Sequence, residues 1–300
     1  MRPRTSTATL VRPRGAPDQT TWGPWHGPDR AVGWGSVTKV LTAGLVRALV
    51  VNGSLAWSTT APEVLGGPAA PSLTVEALVR HRSGLPRVLP RSSGAPVDKD
   101  PYVAWTTEAF DRDVVPHLAG LVTARSVGRD NYSNLGYAVL TRMAETVTGE
   151  SWLTALRERV VEPLGADPDA FTVAPPAGAT LPLDRSGKPL ADWDLSTGPF
   201  CGVGGLWATL PALADVLGAK GVGGKRSPLA PPPESDPPSP HAWQRGGLGR
   251  DVAWHNGMTL RQGAWVQTSH DRLVLAHRCG GVPGFTAGAA RRAAQRAAGG

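Results

Sequence analysis

The sequence predicts an α+β fold in which an antiparallel sheet formed by both chain termini is flanked by helices and carries an inserted helical lobe. Three observations predict it. Segments with the composition of strands lie near both ends, helical periodicity fills the middle, and a segment dense in Pro and Gly at 221–240 separates the two. Such segregation of strands from helices is typical of α+β proteins.

We expect one domain over residues 1–300, with a sheet lobe at about 1–60 and 241–300 and a helical lobe at about 61–220. A hydrophobic content of 41% is enough for one substantial core. Pro removes backbone donors and Gly weakens regular elements, so we expect the segment 221–240 to be a linker.

Strands are predicted where Val, Thr, Trp and Leu cluster between turn residues. Residues 1–20 are polar and rich in Arg and Pro, so we expect a frayed arm there with one short strand. A three-residue turn at 269–271 joins the last two strands as a hairpin. The predicted strands are Ala8–Val11, Thr20–Trp25, Asp251–His255, Gly263–Thr268 and Arg272–His277.

Helices are predicted where apolar residues recur every three or four positions. The first begins at Val37 and is apolar on nearly all sides, which is typical of a buried helix. It ends at Asn52-Gly53, because both residues tolerate left-handed backbone. The other predicted helices are Val75–Arg82, Leu135–Thr148, Trp152–Val161, Pro211–Leu217 and Phe285–Ala298.

The charge balance bears on the class of partner. The chain has 31 basic and 24 acidic residues, a formal net charge of +7, yet the Arg residues are spread widely and the basic clusters are short. We therefore expect a small-molecule substrate and no nucleic-acid partner, although charge alone keeps a nucleic-acid-binding protein as one hypothesis. The sequence does not indicate an oligomeric state.

No apolar run is long enough to span a bilayer, and residues 1–20 lack the apolar core of a secretory signal. We accordingly expect no membrane partner and a cytoplasmic location. A misassigned start codon would hide an export signal.

A Ser-x-x-Lys pair, Ser36 and Lys39, opens the first helix. Residues three apart share a helix face, so Lys39 is expected to lie against Ser36. The apolar surroundings disfavour an ammonium, and a neutral amine can take the proton that keeps a Ser hydroxyl a weak nucleophile. The helix N-terminus also favours negative charge on a developing oxyanion. An ordinary capping Ser followed by an ordinary Lys is the alternative.

Tyr132 and Asn134 come just before the predicted helix Leu135–Thr148. A Tyr beside a cationic Lys can be held as a phenolate or can pass a proton. The amide of Asn134 can bind Lys39 and a substrate carbonyl. A loop Tyr followed by an Asn that caps the helix is the alternative.

His255 and Gly257 form a His-x-Gly motif at the end of a predicted strand. Gly allows close approach to the strand backbone. A strand edge beside the nucleophile would supply a second oxyanion donor, the N–H of Met258. A strand residue followed by a turn is the alternative.

The three motifs occur once each, in this order, at a helix start, in a loop and at a strand end. With their neighbours they resemble the serine β-lactamase superfamily, on its class C β-lactamase, penicillin-binding protein and family VIII-type esterase side. The resemblance spans about residues 30–280 and is weaker at 215–250. We expect a structural role for His81, which lies in the matching block Leu78–Pro86. The matching blocks are Trp34–Lys39, Leu78–Pro86, Tyr132–Tyr137 and Gly204–Thr209.

The resemblance implies a β-lactamase/transpeptidase-like fold and an acyl-enzyme mechanism on an ester or amide, as in esterases, D-peptidases or β-lactamases. Ser36 would attack the carbonyl, and Lys39 and Tyr132 would move the proton. The N–H groups of Ser36 and Met258 would hold the oxyanion. No metal or organic cofactor is implied. Substrate contacts would come from Asn134, His255, Gly257 and Met258.

Four features depart from the family's pattern. The segment before Ser36 is short, and the linker at 221–240 replaces what is usually more structured. Met258 stands where a small residue is usual, and His255 stands where many relatives have Lys. Loss of that permanent cation favours neutral esters or amides over β-lactams. The departures support a second hypothesis, a catalytically weak or inactive relative that binds a ligand or partner in the same cleft.

Overall fold

Strands from both ends of the chain form the main sheet. The computed structural model describes residues 3–89, 100–219, 221, 226–231, 240–245, 251–281 and 286–299. The strands are β1 (Thr5–Pro13), β2 (Gln19–Trp22), β3 (Val32–Gly33), β4 (Trp207–Ala208), β5 (Gln244–Arg245), β6 (Ala253–Met258), β7 (Gln262–Thr268) and β8 (Arg272–Gly280). Six of them form an antiparallel sheet in the order β2-β1-β8-β7-β6-β5, while β3 and β4 pair separately. The predicted architecture is thus confirmed for the sheet.

The expectation of a frayed N-terminal arm is wrong. β1 runs for nine residues and pairs with β8 from Thr5 opposite Gly280 to Pro13 opposite Arg272. Leu10 faces the main core and Val11 faces a helix on the other side of the sheet, so the strand is buried on both faces. The polar and Arg-rich flanks concealed this position, because burial on both faces removes the alternation that marks a half-exposed strand.

The strand that carries His255 is also longer than predicted. β6 continues to Met258, and Gly257 pairs with Ala264 of β7. Asn256-Gly257 has the composition of a turn, but here the Gly sits inside the ladder because another backbone segment approaches it closely.

Ten α-helices lie within the described ranges. The predicted helix Val75–Arg82 is shorter, because His81 adopts a positive φ of 57° after it. The predicted helix Trp152–Val161 is α-helical only at its start and continues as a π-helical turn, Arg157–Val161. Phe285 of the last predicted helix lies outside the described residues. The helices are α1 (Thr38–Val51), α2 (Ala61–Leu65), α3 (Val75–Val79), α4 (Thr107–Asp113), α5 (Leu118–Leu121), α6 (Asn134–Thr148), α7 (Trp152–Leu156), α8 (Cys201–Gly204), α9 (Leu210–Gly218) and α10 (Thr286–Gly299).

Helices cover both faces of the sheet. α10 packs its Ala residues on one face, against Trp265 and Val274. On the other face, α1 is buried along most of its length, as predicted, and contacts α6, α7 and α8. The start of α1 therefore lies at the junction of the sheet and the helices. Most of the predicted linker, residues 222–225 and 232–239, lies outside the described residues.

Within the described parts of the chain, no helix combines the length and the hydrophobicity needed to cross a bilayer.

A buried polar chain links β1 to β8. Ser6 Oγ lies 2.7 Å from His26 Nδ1, and His26 Nε2 lies 2.8 Å from His277 Nδ1. Burial lowers the pKa of His26 to about 4 and the pKa of His277 well below its ordinary value. Both rings are therefore neutral at pH 7, and each supplies one donor and one acceptor.

We expect the free energy of unfolding to fall as the pH drops from 6.5 toward about 5. In the unfolded chain both histidines take up protons near pH 6.5, whereas the folded protein keeps them neutral, so stability is complete above pH 6.5 and decreases below it. Each histidine contributes up to about 1.4 kcal/mol per pH unit in this window. Urea unfolding at several pH values measures the slope.

The matched pair of variants is His26→Gln and His270→Gln, because His270 is exposed in the turn between β7 and β8. His26→Gln should flatten the slope by up to about 1.4 kcal/mol per pH unit, and His270→Gln should leave it as in the parent. An unchanged slope in His26→Gln would remove the buried pair as the cause.

Candidate active site

Ser36 lies in a 3₁₀ turn, Gly35–Val37, that leads directly into α1. Thr38 Oγ1 donates to the carbonyl oxygen of Gly35 at 2.6 Å and closes the turn. The buried indole of Trp34 donates to the carbonyl oxygen of Ala208 at 3.1 Å and ties the turn to β4. Ser36 is therefore held rigidly, with its side chain at the wall of a cleft.

Lys39 lies under Ser36, as the three-residue spacing predicted. Its Nζ is 3.0 Å from Ser36 Oγ and 2.9 Å from the carbonyl oxygen of Val203, which belongs to α8. The side chain is fully buried, and burial, followed by the charge of Arg87, lowers the pKa of Lys39 well below its ordinary value. The amine is thus shifted toward the neutral form that can accept the Ser36 proton.

Tyr132 lies beside Ser36 and Lys39 at the cleft, with Lys39 Nζ 5.1 Å from the centre of the Tyr132 ring. Burial raises the pKa of Tyr132 to about 12, although the neighbouring Ser36 side chain acts in the opposite direction. The resting phenol is therefore protonated rather than held as a phenolate.

His81 holds the segment that carries Tyr132. Its carbonyl oxygen accepts from Asn131 N at 2.9 Å and its Nδ1 accepts from Ser133 N at 3.1 Å, so it binds the backbone on both sides of Tyr132. Its ring centre lies 4.4 Å from that of Tyr132 and 4.9 Å from that of Tyr137. The structural role expected for His81 is therefore a specific one, the placement of Tyr132.

The position and hydrogen-bond partners of Asn134 differ in part from those predicted. It is the first residue of α6, and Ser133 is the capping residue, with its Oγ accepting from Gly136 N at 2.8 Å. The described hydrogen bonds of Lys39 go to Ser36 and Val203, not to Asn134. Asn134 Nδ2 instead donates to Tyr102 Oη at 3.1 Å, while Oδ1 is buried with no partner among the described residues. One amide atom at the cleft therefore stays available to a ligand.

The edge of β6 lies against the Ser36 turn. A Cβ atom on Gly257 would lie 1.9 Å from the carbonyl oxygen of Trp34, and a Cβ on Gly35 would lie 2.6 Å from Met258 N. Thr259 N donates to Gln262 O, so by the alternation of an antiparallel ladder the N–H of Met258 points away from β7 and toward the cleft. The backbone N–H groups of Ser36 and Met258 thus lie close together beside the cleft.

The side chain of His255 does not line the cleft. Its side chain is 1% exposed and packs on the inner face of β6, where its Nδ1 lies 2.8 Å from the carbonyl oxygen of Asn256. Burial, followed by the charge of Lys39, lowers the pKa of His255 to about 3, so the ring is neutral. The prediction that His255 contacts the substrate is therefore wrong. Side chains alternate along a strand, so Asn256 and Met258 face the cleft and His255 does not.

The cleft between β6 and the helices encloses about 570 Å³. Four residues predicted from the sequence line the cleft: Ser36, Tyr132, Asn134 and Met258. Other lining residues were not predicted, because their positions depend on long-range packing and no local motif marks them. Arg87 alone carries a hint, since it directly follows the block Leu78–Pro86. The missed lining residues include Arg87, Tyr102, Trp193 and Gln244.

Two curated relatives share part of the sequence. The chain is 34% identical over 185 residues to "Penicillin-binding protein 4" of Amycolatopsis lactamdurans, covering 55% of this chain and 45% of that protein. It is 28% identical over 164 residues to "Esterase/beta-lactamase LipL" of Mycobacterium tuberculosis, covering 51% of this chain and 34% of that protein. The chain thus matches less than half the length of either relative.

Solved structures share the fold over nearly the whole chain. A class C beta-lactamase from Rhodobacter sphaeroides superposes with a TM-score of 0.70 at 16% identity, covering 98% of this chain and 95% of that one. A penicillin-binding protein homologue from Pyrococcus abyssi superposes with a TM-score of 0.73 at 19% identity, covering 98% and 73%. The predicted fold class is confirmed.

The family assignment rests on the sequence itself. The family model described as Beta-lactamase matches residues 3–296. This match includes the Ser36 turn, the Tyr132 loop and β6, and it confirms the resemblance found in the motifs. The chain therefore belongs to the beta-lactamase family.

Proposed function

We propose that the protein is a serine hydrolase that forms an acyl-enzyme on Ser36 from an ester or amide. The observation that carries this proposal is the 3.0 Å contact between Lys39 Nζ and Ser36 Oγ, with the Lys fully buried. A buried Lys without a carboxylate partner is costly unless its pKa falls, and a neutral amine beside a hydroxyl is a general base. Lys39 meets both conditions, because burial lowers its pKa and its amine lies beside the Ser36 hydroxyl.

In the proposed mechanism, Ser36 Oγ bonds to the carbonyl carbon while Lys39 takes its proton. The N–H groups of Ser36 and Met258 stabilise the oxyanion. When the carbonyl re-forms, the bond to the leaving group breaks and Tyr132 relays the proton from Lys39 to that group. The same two residues then take a proton from a water, which bonds to the acyl carbon. When the bond from that carbon to Ser36 Oγ breaks, they return the proton to Oγ and the carboxylic acid leaves.

The substrate class follows from the acyl chemistry. An ester or amide carbonyl suits the names of both relatives, a penicillin-binding protein and an esterase/beta-lactamase. Among these activities we favour an esterase or amidase over a β-lactamase, since a neutral His255 occupies the position of a cation in many family members.

A fluorophosphonate probe tests the nucleophile. We expect intact-mass analysis to find one adduct per chain of the parent protein and none on Ser36→Ala, because only a deprotonated hydroxyl attacks the probe at a useful rate. Ser54→Ala, which removes an exposed serine after α1, is the matched control and should label fully. Equal labelling of Ser36→Ala and the parent would refute the assignment.

One observation favours a second candidate, a ligand-binding relative without turnover. Met258 is 37% exposed and lines the cleft, so a large side chain stands at the proposed oxyanion site where the family usually has a small residue. A panel of short esters, a chromogenic cephalosporin and D-amino-acid amides separates the two. Turnover that depends on Ser36 would exclude the second candidate, and a fully unlabelled, inactive protein would support it.

A further inference from the structure

Arg87 brings a positive charge to the cleft from the side opposite β6. Its carbonyl oxygen accepts from Asn134 N at 2.9 Å, which fixes its backbone beside the first residue of α6. Its guanidinium carbon lies 5.0 Å from the centre of the Tyr132 ring. This is the distance of a cation–π contact, which holds the guanidinium beside the ring while its N–H donors can meet a ligand.

No other described lining residue of the cleft is charged. Lys39 and His255 behind the wall are shifted toward their neutral forms, so they do not replace Arg87 as a cation. Among the ion pairs of the described residues, none involves Arg87, and its side chain is exposed. The exposed guanidinium of Arg87 therefore gives the cleft a preference for anionic ligands, which the neutral His255 does not predict.

We propose that Arg87 binds a carboxylate of the substrate and makes the cleft selective for anionic over neutral esters and amides. This proposal rests on the proposed function and replaces the expectation, drawn from the sequence, of a neutral ester or amide. The planar guanidinium offers paired N–H donors that match the two oxygens of a carboxylate. Because Arg87 is adjacent to Tyr132, a carboxylate held there would also orient the scissile group toward Ser36.

Matched ester pairs test the selectivity and locate the carboxylate. In the acyl arm, p-nitrophenyl hydrogen glutarate is compared with p-nitrophenyl methyl glutarate. In the leaving-group arm, m-carboxyphenyl acetate is compared with phenyl acetate. The measured quantity is the ratio of kcat/KM for the anionic ester to kcat/KM for its neutral partner, which cancels any general effect on the catalytic groups.

We expect Arg87→Gln to lower this ratio by about tenfold in at least one arm, the size of one lost charge-assisted contact. Arg87→Lys should retain part of the preference, because it keeps the positive charge but loses the paired, planar N–H donors of the guanidinium. Arg292→Gln makes the same change in net charge on the exposed side of α10 and is the matched control for the ratio. Ratios in Arg87→Gln equal to those of the parent in both arms would overturn the proposal.

A binding measurement separates failure of this proposal from failure of the proposed function. Titration calorimetry of Ser36→Ala with each anionic ester, p-nitrophenyl hydrogen glutarate and m-carboxyphenyl acetate, reports affinity without turnover. Adding Arg87→Gln should weaken the binding of at least one of them by about tenfold even if the parent protein hydrolyses no ester. Unchanged affinity for both esters would overturn the role of Arg87 whatever the outcome of the labelling experiment.

Discussion

Replacing Lys39 with Met is expected to lower kcat/KM for an activated ester by about 10³-fold, and Tyr132→Phe by about 10²-fold, within the range for loss of general acid–base catalysis. Met has nearly the length of Lys and carries no charge, so it fits the fully buried site next to Ser36. The larger cost falls on Lys39 because it is the group whose pKa is lowered toward a useful base, whereas the pKa of Tyr132 is raised to about 12.

The pH dependence distinguishes this assignment from a structural role. A Lys base is active in its neutral form, so kcat/KM of the parent should rise with pH through the lowered pKa of Lys39 and then level off. Lys39→Met should lose this limb, while Tyr132→Phe should keep it at a lower rate. Lys39→Arg should be as inactive as Lys39→Met, because a guanidinium does not deprotonate in this range.

Lys188→Met is the matched control, since Lys188 is exposed in a turn far along the chain from the site. It should match the parent in rate and in pH profile. The outcome that would contradict the assignment is a Tyr132→Phe loss larger than that of Lys39→Met, which would make the phenol the primary base. Thermal unfolding of each variant identifies any loss that comes from damage to the fold.

The parts of the site that were predictable are those set by local geometry. The spacing of Ser36 and Lys39 determines their contact within one turn, and the buried position of α1 follows from its continuous apolar composition. These two facts already predict a lowered Lys pKa. The catalytic roles assigned to these residues stay predictions until the variants are measured.

The parts that were not predictable depend on contacts between distant segments. The second acceptor of Lys39 is the carbonyl of Val203, 164 positions away in the chain. The amide of Asn134 is engaged by Tyr102, a residue that no recognisable motif marks. The inward direction of His255 depends on the register of β6 with β7, and a shift of one residue would have turned it to the cleft.

The close approach of β6 to the Ser36 turn leads to the second large prediction. Gly257→Ala is expected to lower kcat/KM by about 10³-fold, the upper range for loss of an oxyanion donor. The added Cβ would lie 1.9 Å from the carbonyl oxygen of Trp34, well inside contact distance. Trp34 is fully buried and bonded through its N–H groups to Leu206 and Ala208, so it does not move aside easily.

β6 must therefore shift outward, and the N–H of Met258 leaves its place beside Ser36 N. Gly35→Ala tests the same contact from the other side, because its Cβ would lie 2.6 Å from Met258 N and its φ of 51° disfavours a side chain. We also expect each variant to lose about 1–3 kcal/mol of stability from overpacking. Urea unfolding and kcat/KM on the same preparations separate the two effects.

Gly120→Ala is the matched control, since an added Cβ there meets nothing within 4 Å. It should retain full activity and gain a little stability, as Ala does in an exposed helix. If Gly257→Ala is folded and keeps more than about a third of the parent rate, β6 does not form the oxyanion site, because a lost donor costs far more. A large loss confined to kcat, with KM little changed, instead indicates that the edge of β6 acts on the transition state rather than on the bound substrate.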